Sequence, residues 1–207
     1  MFSDREEAAR RLAARLRPYR GKNPLILAIP RGAVPMAKIV ADELKGEFDV
    51  VLVRKLRAPQ QPELAIGSVD ESGWTYLADY AEAYGADAQY VESEKRLQLQ
   101  TIRARRAQYT PIRPPLDRAG RIVIVIDDGL ATGATMISAL HGLRERKPAK
   151  LVCAVPVAPP DTVAKVSDLA DEVVCLETPA FFQAVGQFYR HFGQVEDEEV
   201  VAILQGR

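Results

Sequence analysis

Arg121-Ile-Val-Ile-Val-Ile-Asp127-Asp128-Gly-Leu-Ala-Thr132-Gly133-Ala-Thr135 is the stretch on which the reading of the fold turns. Ile122 to Ile126 are all β-branched and apolar, which reads as a strand buried on both faces, as in the middle of a parallel sheet. Two carboxylates follow where the strand leaves the sheet, then small and hydroxyl residues, then Met136-Ile-Ser-Ala-Leu140 as the start of a helix. That order places a ligand at the carboxyl end of a strand, against a helix N-terminus. Gly129, Ala131, Gly133 and Ala134 let backbone N–H groups close around an anion, and Thr132 and Thr135 add hydroxyl donors. Asp127 and Asp128 would repel a phosphate, so they suit the vicinal hydroxyls of a sugar or a hydrated Mg²⁺ ion. A phosphate and a diol held side by side describe a ribose 5-phosphate site. A solvated Asp-Asp turn before an ordinary helix cap is the plainer alternative, and the Thr-Gly-Ala-Thr continuation argues against it.

IVIVIDDGLATGATM resembles the phosphoribosyl pyrophosphate (PRPP) motif of type I phosphoribosyltransferases. The resemblance implies that Asp127 and Asp128 hold the ribose 2′- and 3′-hydroxyls. It also implies that Gly129, Leu130, Ala131, Thr132, Gly133, Ala134 and Thr135 bind the 5-phosphate. The motif departs from the 6-oxopurine members at Ala131, where they carry an aspartate facing the base. Adenine-type members can have alanine there, so hypoxanthine or guanine is disfavoured and the acceptor is left unnamed. Ala134, often lysine or glycine in the family, is a neutral change.

Leu25 to Ile29 is a second apolar strand, ending in Pro30-Arg31-Gly32-Ala33 before a helical run from Val34 to Leu44. Gly32 permits a tight turn, and the Arg31 guanidinium matches phosphate oxygens. AIPRGAVPMA is similar to the family's pyrophosphate loop, which implies pyrophosphate binding by Pro30, Arg31 and Gly32. Phe48 to Val53 reads as a third strand with Arg54-Lys55-Leu-Arg57 at its end. On charge alone this is a solvated basic turn; the resemblance assigns Arg54 and Lys55 to pyrophosphate and places Arg57 and Glu63 in a mobile loop closing over PRPP. Leu64 to Val69 and Trp74 to Leu77 read as a hairpin projecting from the sheet.

The rest of the chain supplies scaffold. Ser3-Asp-Arg-Glu6 is a capping-box pattern before an amphipathic helix with a basic outer face, carrying Ala9, Leu12, Ala13 and Leu16 up to Pro18. Residues 78–109 read as mostly helical, with Tyr90, Leu97 and Ile102 as apolar marks and Arg103, Arg105 and Arg106 near the end. This is a solvated helix with a few core contacts, and a homo-oligomer contact stays open for it. Pro111 to Pro115 reads as an extended return to the sheet. Leu151 to Val157 is a further apolar strand, Pro159-Pro-Asp161 caps a helix through Leu169, and Glu172 to Leu176 is the last buried strand. His141 reads as a surface residue. After Glu177 the tail holds Phe181, Phe182, Phe188 and Phe192, four of six phenylalanines. Such aromatics usually close a core; the resemblance implies part of an acceptor pocket here, with Phe181 or Phe182 as a stacking platform.

The expectation is one α/β domain over residues 1–207, with a doubly wound, mainly parallel sheet of about five strands flanked by helices. It carries a hairpin and helical insertion over about 54–110 and a small C-terminal hood over about 177–207. The 28 Lys plus Arg balance 28 Asp plus Glu, so nothing points to nucleic acid or an anionic membrane. Cys153 and Cys175 lie in apolar runs and read as buried free thiols of a cytoplasmic protein. There is neither a CxxC nor an HExxH spacing, no signal peptide and no run of membrane length. The resemblance implies a Mg²⁺-dependent transfer of ribose 5-phosphate from PRPP to a nitrogenous acceptor with release of pyrophosphate. Asp127, Asp128, Lys55 and Arg31 would be the catalytic residues, and Mg²⁺ would be held mainly through PRPP, with Asp127 and Asp128 available to it. The competing class is a PRPP-binding regulator without catalysis; Lys55, Glu63 and the intervening Pro-Gln loop favour the enzyme.

Overall fold

In the computed structural model, which describes residues 1–109 and 115–206, the quoted stretch forms the middle strand of a five-stranded parallel sheet. The strands of this sheet are β1 (Leu25–Ala28), β2 (Glu47–Val50), β6 (Ile122–Ile126), β7 (Lys150–Val157) and β8 (Glu172–Glu177), in the order β2-β1-β6-β7-β8. The chain leaves β1 through helix α2 (Ala33–Leu44) towards one edge, and leaves β6 through α4 (Ala134–Arg144) towards the other. The β1/β6 boundary is therefore the topological switch point, where crevices open at the carboxyl ends of strands.

Alternation along the strands divides the core. Ile26, Ala28, Ile124, Ile126, Val152 and Ala154 face helices α1 (Arg5–Arg15) and α2. Leu25, Leu27, Val123, Val125, Leu151, Cys153 and Val155 face α4 and α5 (Pro160–Ser167). Both faces of the central strands are covered, which is why their sequences are continuously apolar rather than alternating. Cys153 and Cys175 are free thiols, and burial pushes the Cys153 thiol well up. Among the described residues, no helix is long and apolar enough to cross a membrane.

Four expectations need correction. The apolar run Phe48–Val53 is not one strand: β2 stops at Val50, and Val53–Arg57 forms β3 of a separate antiparallel sheet with β4 (Ala65–Asp70) and β5 (Thr75–Leu77). Both halves of the run are buried, so hydrophobicity gave no sign of the break. Arg54 and Lys55 consequently lie inside β3 rather than at the end of a main-sheet strand. The predicted β4–β5 hairpin forms, with β3 as a third strand. Its join to α4 is polar: the Ser68 hydroxyl donates to the Ala134 carbonyl at 2.6 Å and lies 2.6 Å from Ser138 Oγ, all buried.

Helix α3 (Ala88–Tyr109) turns Glu94, Gln98, Ile102 and Tyr109 inward, while Leu97 is 55% exposed. The periodicity was obscured because half of the buried face is polar. The N-cap of α1 is Asp4 rather than Ser3: its carboxylate accepts from Glu7 N–H at 2.9 Å, and Ser3 N–H donates to Glu7 Oε2 at 2.7 Å. Strand β8 is an edge strand in which Val174 is the one buried residue, not a fully buried one. Most of the proposed extended link, Pro111 to Pro114, lies outside the described residues.

The two chain ends are laced together. Phe2 N–H donates to Phe188 O at 2.7 Å, Arg190 N–H to Phe2 O at 2.9 Å and His191 N–H to Ser3 O at 2.9 Å. The short helix α6 (Asp197–Leu204) follows and reaches α2. At the opposite end of the sheet, buried Asp49 accepts the N–H groups of Val50 (2.8 Å) and Leu116 (2.9 Å), with Arg118 at 3.9 Å. Asp49→Ala leaves the Leu116 N–H and the Arg118 guanidinium without this acceptor. A loss of about 2–4 kcal/mol is expected, read as a lower midpoint of denaturant unfolding with unchanged slope.

Candidate active site

Ala28 of β1 pairs with Ile126 of β6, so the chain leaves the sheet at two adjacent points: Ile29-Pro30-Arg31-Gly32, and Asp127 onward. Between them opens a cleft of about 510 Å³, lined by Ile29 to Gly32, Lys55 and the whole run from Asp127 to Thr135. The opposite wall comes from the chain ends, Arg5, Val185 and Phe192 to Val195.

The loop after the acidic pair is anchored from behind. Leu130 N–H donates to Val157 O at 2.9 Å, and the Thr162 hydroxyl of α5 donates to Ala131 O at 2.6 Å. Gly133, at φ +78°, enters α4 through the left-handed region, and a methyl group there would sit 2.9 Å from the Thr162 side chain. With its carbonyls held, the loop presents its amides: among the described residues, the N–H groups of Ala131, Thr132 and Gly133 have no protein acceptor. Adjacent unclaimed N–H groups at the head of an 11-residue helix form a site for an anion.

The two carboxylates have different surroundings. Arg5, from the first turn of α1, donates to Asp128 Oδ2 through Nε (2.9 Å) and Nη2 (2.8 Å), while its Nη1 donates to Gly193 O at 2.6 Å. The Arg5 guanidinium also lies 4.0 Å from the centre of the Phe192 ring. Tyr189 donates its hydroxyl to the Asp128 carbonyl at 2.6 Å, and burial, then the charge of Asp128, pushes that hydroxyl's pKa up. Asp127 accepts the Asp128 N–H at 2.9 Å. Although Asp127 keeps some contact with solvent, burial and next the charge of Asp128 hold its carboxyl well above the usual carboxylate range; Lys55 and Arg5 only moderate this. Gly32 is required for the close approach of the two loops, since a methyl group there would collide with Asp128 Oδ2. The Pro30–Arg31 peptide bond beside it is cis.

The residues expected from sequence divide between two spaces. Pro30, Arg31, Gly32, Lys55 and Asp127 to Thr135 all line the cleft. Arg31 is also tied to the start of α6, with Nη1 at 3.2 Å from Glu196 and 3.7 Å from Asp197. Arg54, Arg57 and Glu63 line an adjoining well instead, which shares Ile29, Pro30, Lys55 and Thr135 with the cleft. Neither Phe181 nor Phe182 is among the cleft-lining residues. Phe181 is 90% exposed and Phe182 packs 5.0 Å from Phe188, leaving Phe192 as the aromatic ring at the cleft. His141, read as a surface residue, is half-buried and stacks on Trp74 at 3.7 Å, on the far half of α4. Arg5, Thr162, Tyr189 and Phe192 were missed. Only the density of arginines in α1 could have drawn attention to Arg5, and it did not separate Arg5 from its neighbours. Among the described residues, no group of three or more His, Cys, Asp or Glu side chains is placed to hold a metal.

Residues 3–191 match the family description "phosphoribosyl transferase domain". A Mycobacterium tuberculosis (strain ATCC 25618 / H37Rv) protein named as a phosphoribosyl transferase is 45% identical over 205 residues, covering 99% of this chain and 46% of its own length. The chain thus spans about half the length of the curated M. tuberculosis relatives it matches. The crystal structure of TT1426 from Thermus thermophilus is 46% identical and covers 99% of this chain and 98% of its own, with a TM-score of 0.82. A Staphylococcus aureus hypoxanthine phosphoribosyltransferase shares the fold at 15% identity and a TM-score of 0.50, covering 94% of this chain and 88% of its own. From sheet order to loop and whole-length match, the chain belongs to the phosphoribosyl transferase domain family.

Proposed function

We propose that this protein transfers ribose 5-phosphate from PRPP to a nitrogenous acceptor, with release of pyrophosphate and dependence on Mg²⁺. The observation that carries the reading is the set of unclaimed amides at Ala131, Thr132 and Gly133 directly after the carboxylate pair, at the switch point of the sheet. The loop from Gly129 to Thr135 holds the 5-phosphate. Asp127 and Asp128 hold the ribose hydroxyls, and Asp128 exchanges part of its contact with Arg5 for a hydroxyl donor. Arg31, Gly32 and Lys55 hold the pyrophosphate, with Arg54 behind them and the segment of Arg57 and Glu63 closing over it. Asp127 and Asp128 would be the residues available to Mg²⁺, which when bound would supply charge neutralisation for the leaving pyrophosphate. As the anomeric carbon gains oxocarbenium character, negative charge grows on the leaving oxygen, and Lys55 and Arg31 stabilise that charge in place. The protein's task is positioning and the exclusion of water rather than covalent chemistry.

The acceptor sits on the side of Val185 and Phe192, where the Phe192 ring supplies a stacking surface. Ala131 supplies no carboxylate to a base. A 97-residue match at 35% identity to an adenine phosphoribosyltransferase of Rhodospirillum centenum (strain ATCC 51521 / SW), covering 42% of this chain and 53% of that protein, is compatible with a 6-amino rather than a 6-oxo acceptor. The second reading is a PRPP-binding regulator. The Arg5–Asp128 ion pair favours it, because a sugar diol must compete with an arginine. Lys55 in the cleft favours catalysis.

Calorimetry with PRPP and Mg²⁺ is expected to give a dissociation constant in the micromolar to millimolar range usual for substrates, on the order of 1 μM–1 mM. Asp127→Asn combined with Asp128→Asn should weaken it; wild-type protein that ignores PRPP sinks the proposal. Incubation with PRPP and a panel of nitrogenous bases, following pyrophosphate release, separates the two readings: binding without turnover across the panel leaves the regulator.

Thr162→Val removes the hydroxyl that holds the Ala131 carbonyl without reaching the ligand. Ribose 5-phosphate affinity should fall about fivefold, or about 1 kcal/mol, while affinity for pyrophosphate alone is unchanged. Equal losses for both ligands would mean that the loop is not the 5-phosphate site.

Asp127 also makes a pH prediction. Its folded-state pKa is raised, so the folded protein keeps a proton that the unfolded chain releases at about pH 3.9. This contribution to stability is lost as pH rises from about 3.9 through the raised folded value. Melting curves of Asp127→Asn should lack that decline and lie above wild type at the alkaline end of the window. Parallel curves for the two proteins would remove Asp127 as the cause.

A further inference from the structure

Between α4 and the turn that joins β4 to β5 lies a second hollow, of about 400 Å³, which shares no lining residue with the cleft. The head of α4 belongs to the cleft and its far half to this hollow. Part of the wall is apolar and aromatic: Val51, Leu52, Ala139 and Leu143 are buried, and the Trp74 ring lies flat on His141, with centroids 3.7 Å apart. The cations of the hollow are Arg118 and Arg146, which also line an adjoining space of about 500 Å³ and so stand where the two meet. Asp49 is only a distant partner for Arg118: its oxygens accept the Val50 and Leu116 N–H groups, and Arg118 Nη2 stays 3.9 Å away. Two nitrogens of the lining, Arg118 Nε and His141 Nδ1, are buried without a hydrogen-bond partner among the described residues. Burial is the main cause that pulls the Arg118 pKa down, and the charges of Asp49 and Glu71 offset part of it. Arg146 makes no ion pair among the described residues. The carboxylates are engaged elsewhere or face solvent. Asp70 Oδ1 accepts from Ser72 N–H (2.8 Å), the Ser72 hydroxyl (2.6 Å) and Trp74 N–H (3.0 Å), and its other oxygen lies where a methyl group on Gly142 would collide with it. Glu71 holds Arg106 through both oxygens, at 2.8 and 2.6 Å, and Glu145 is exposed. Buried polar groups ordinarily find partners, so a guanidinium donor left over beside a flat aromatic wall marks a place for a ligand.

We propose that this hollow binds a small, flat aromatic anion, a molecule of one or two rings that bears a carboxylate. A volume of about 400 Å³ suits a ligand of that size. The rings pack against the Trp74–His141 pair and the apolar side chains of α4, where burial of aromatic area supplies the attraction. The carboxylate gives Arg118 Nε the acceptor it lacks, in the charge-assisted geometry that a guanidinium fork favours, and Arg146 adds a second cation at the same end. The hollow lies outside every space assigned above to donor or acceptor, and the inference rests on no part of the transferase reading.

Trp74 is the only tryptophan of the chain, so its indole N–H gives a single NMR signal that needs no further assignment. Titration with β-naphthoate is expected to shift that signal saturably, with a dissociation constant on the order of millimolar or tighter. The uncharged amide, β-naphthamide, should bind about tenfold more weakly. Arg118→Gln should abolish this preference for the acid while leaving the binding of the amide in place, a pattern that a merely structural role for Arg118 would not give. Arg146→Gln, at an exposed side chain, should narrow the preference about threefold, and it keeps the test in force if Arg118→Gln does not fold. Naphthoate binding that persists in protein saturated with PRPP and Mg²⁺ supports a site separate from the cleft. A Trp74 signal that ignores naphthoate, equal binding of acid and amide to the wild type, or displacement of naphthoate by PRPP overturns the proposal. So does a Trp74 signal that moves with protein concentration alone, since a second copy of the chain would then cover the hollow.

Discussion

The pairing of Ala28 with Ile126 is the constraint from which the rest of the site follows. Two parallel strands that are far apart in sequence lie side by side, and their helices depart to opposite faces of the sheet. Nothing but a loop can occupy the space above their carboxyl ends, so the Arg31 turn and the Asp127 turn face each other across a cleft. Parallel pairing of this kind demands covered faces, and so the strands are apolar throughout and say little about ligands. The chemistry is displaced to the residues just beyond the last sheet hydrogen bond.

The second constraint comes from the chain ends. Phe2 and Ser3 are laced to residues 188–191, which fixes Arg5 above Asp128 and sets Phe192 over the Arg5 guanidinium. Gly32 has to be glycine because the Asp128 carboxylate, with Arg5 on it, occupies the space a side chain would need. An N-terminal helix, a glycine turn and a C-terminal aromatic thus meet at a single carboxylate oxygen.

What the sequence disclosed and what it withheld divide along physical lines. Contiguous signals were legible: the Ile122–Ile126 strand, the Asp127–Thr135 loop, the Arg31–Gly32 turn and the order of alternating strands and helices. Contacts over long sequence separation were not. Arg5 lies 123 positions from Asp128, and nothing local distinguishes it from Arg10 or Arg11. The break between Val50 and Val53 was hidden because both sides of it are buried, and with it the true place of Arg54 and Lys55. The aromatic assignment went to Phe181 and Phe182 because they follow the last strand directly, whereas the chain turns again before Phe192 reaches the cleft. Helix α3 was hard to orient because Glu94 and Gln98, residues that usually mark the outside, form part of its inner face.

Two adjacent carboxylates beside an anion site present an electrostatic conflict, and the structure resolves it unequally. Asp128 is matched by a guanidinium held in turn by Gly193 and Phe192. Among the described residues Asp127 makes no ion pair, and burial, then the charge of Asp128, hold its carboxyl well above the usual carboxylate range. Part of the negative charge that the sequence Asp-Asp implies is thus offset, by the Arg5 guanidinium at Asp128 and by the raised proton affinity of Asp127, beside the unclaimed amides of residues 131–133 and the cations at Arg31 and Lys55. Ligand hydroxyls or a divalent ion would reverse the balance at Asp127 by favouring its charged form. On the proposed function, the carboxylate pair repels a phosphate least before hydroxyl donors stand opposite it, so the binding of a diol and the binding of a phosphate are compatible.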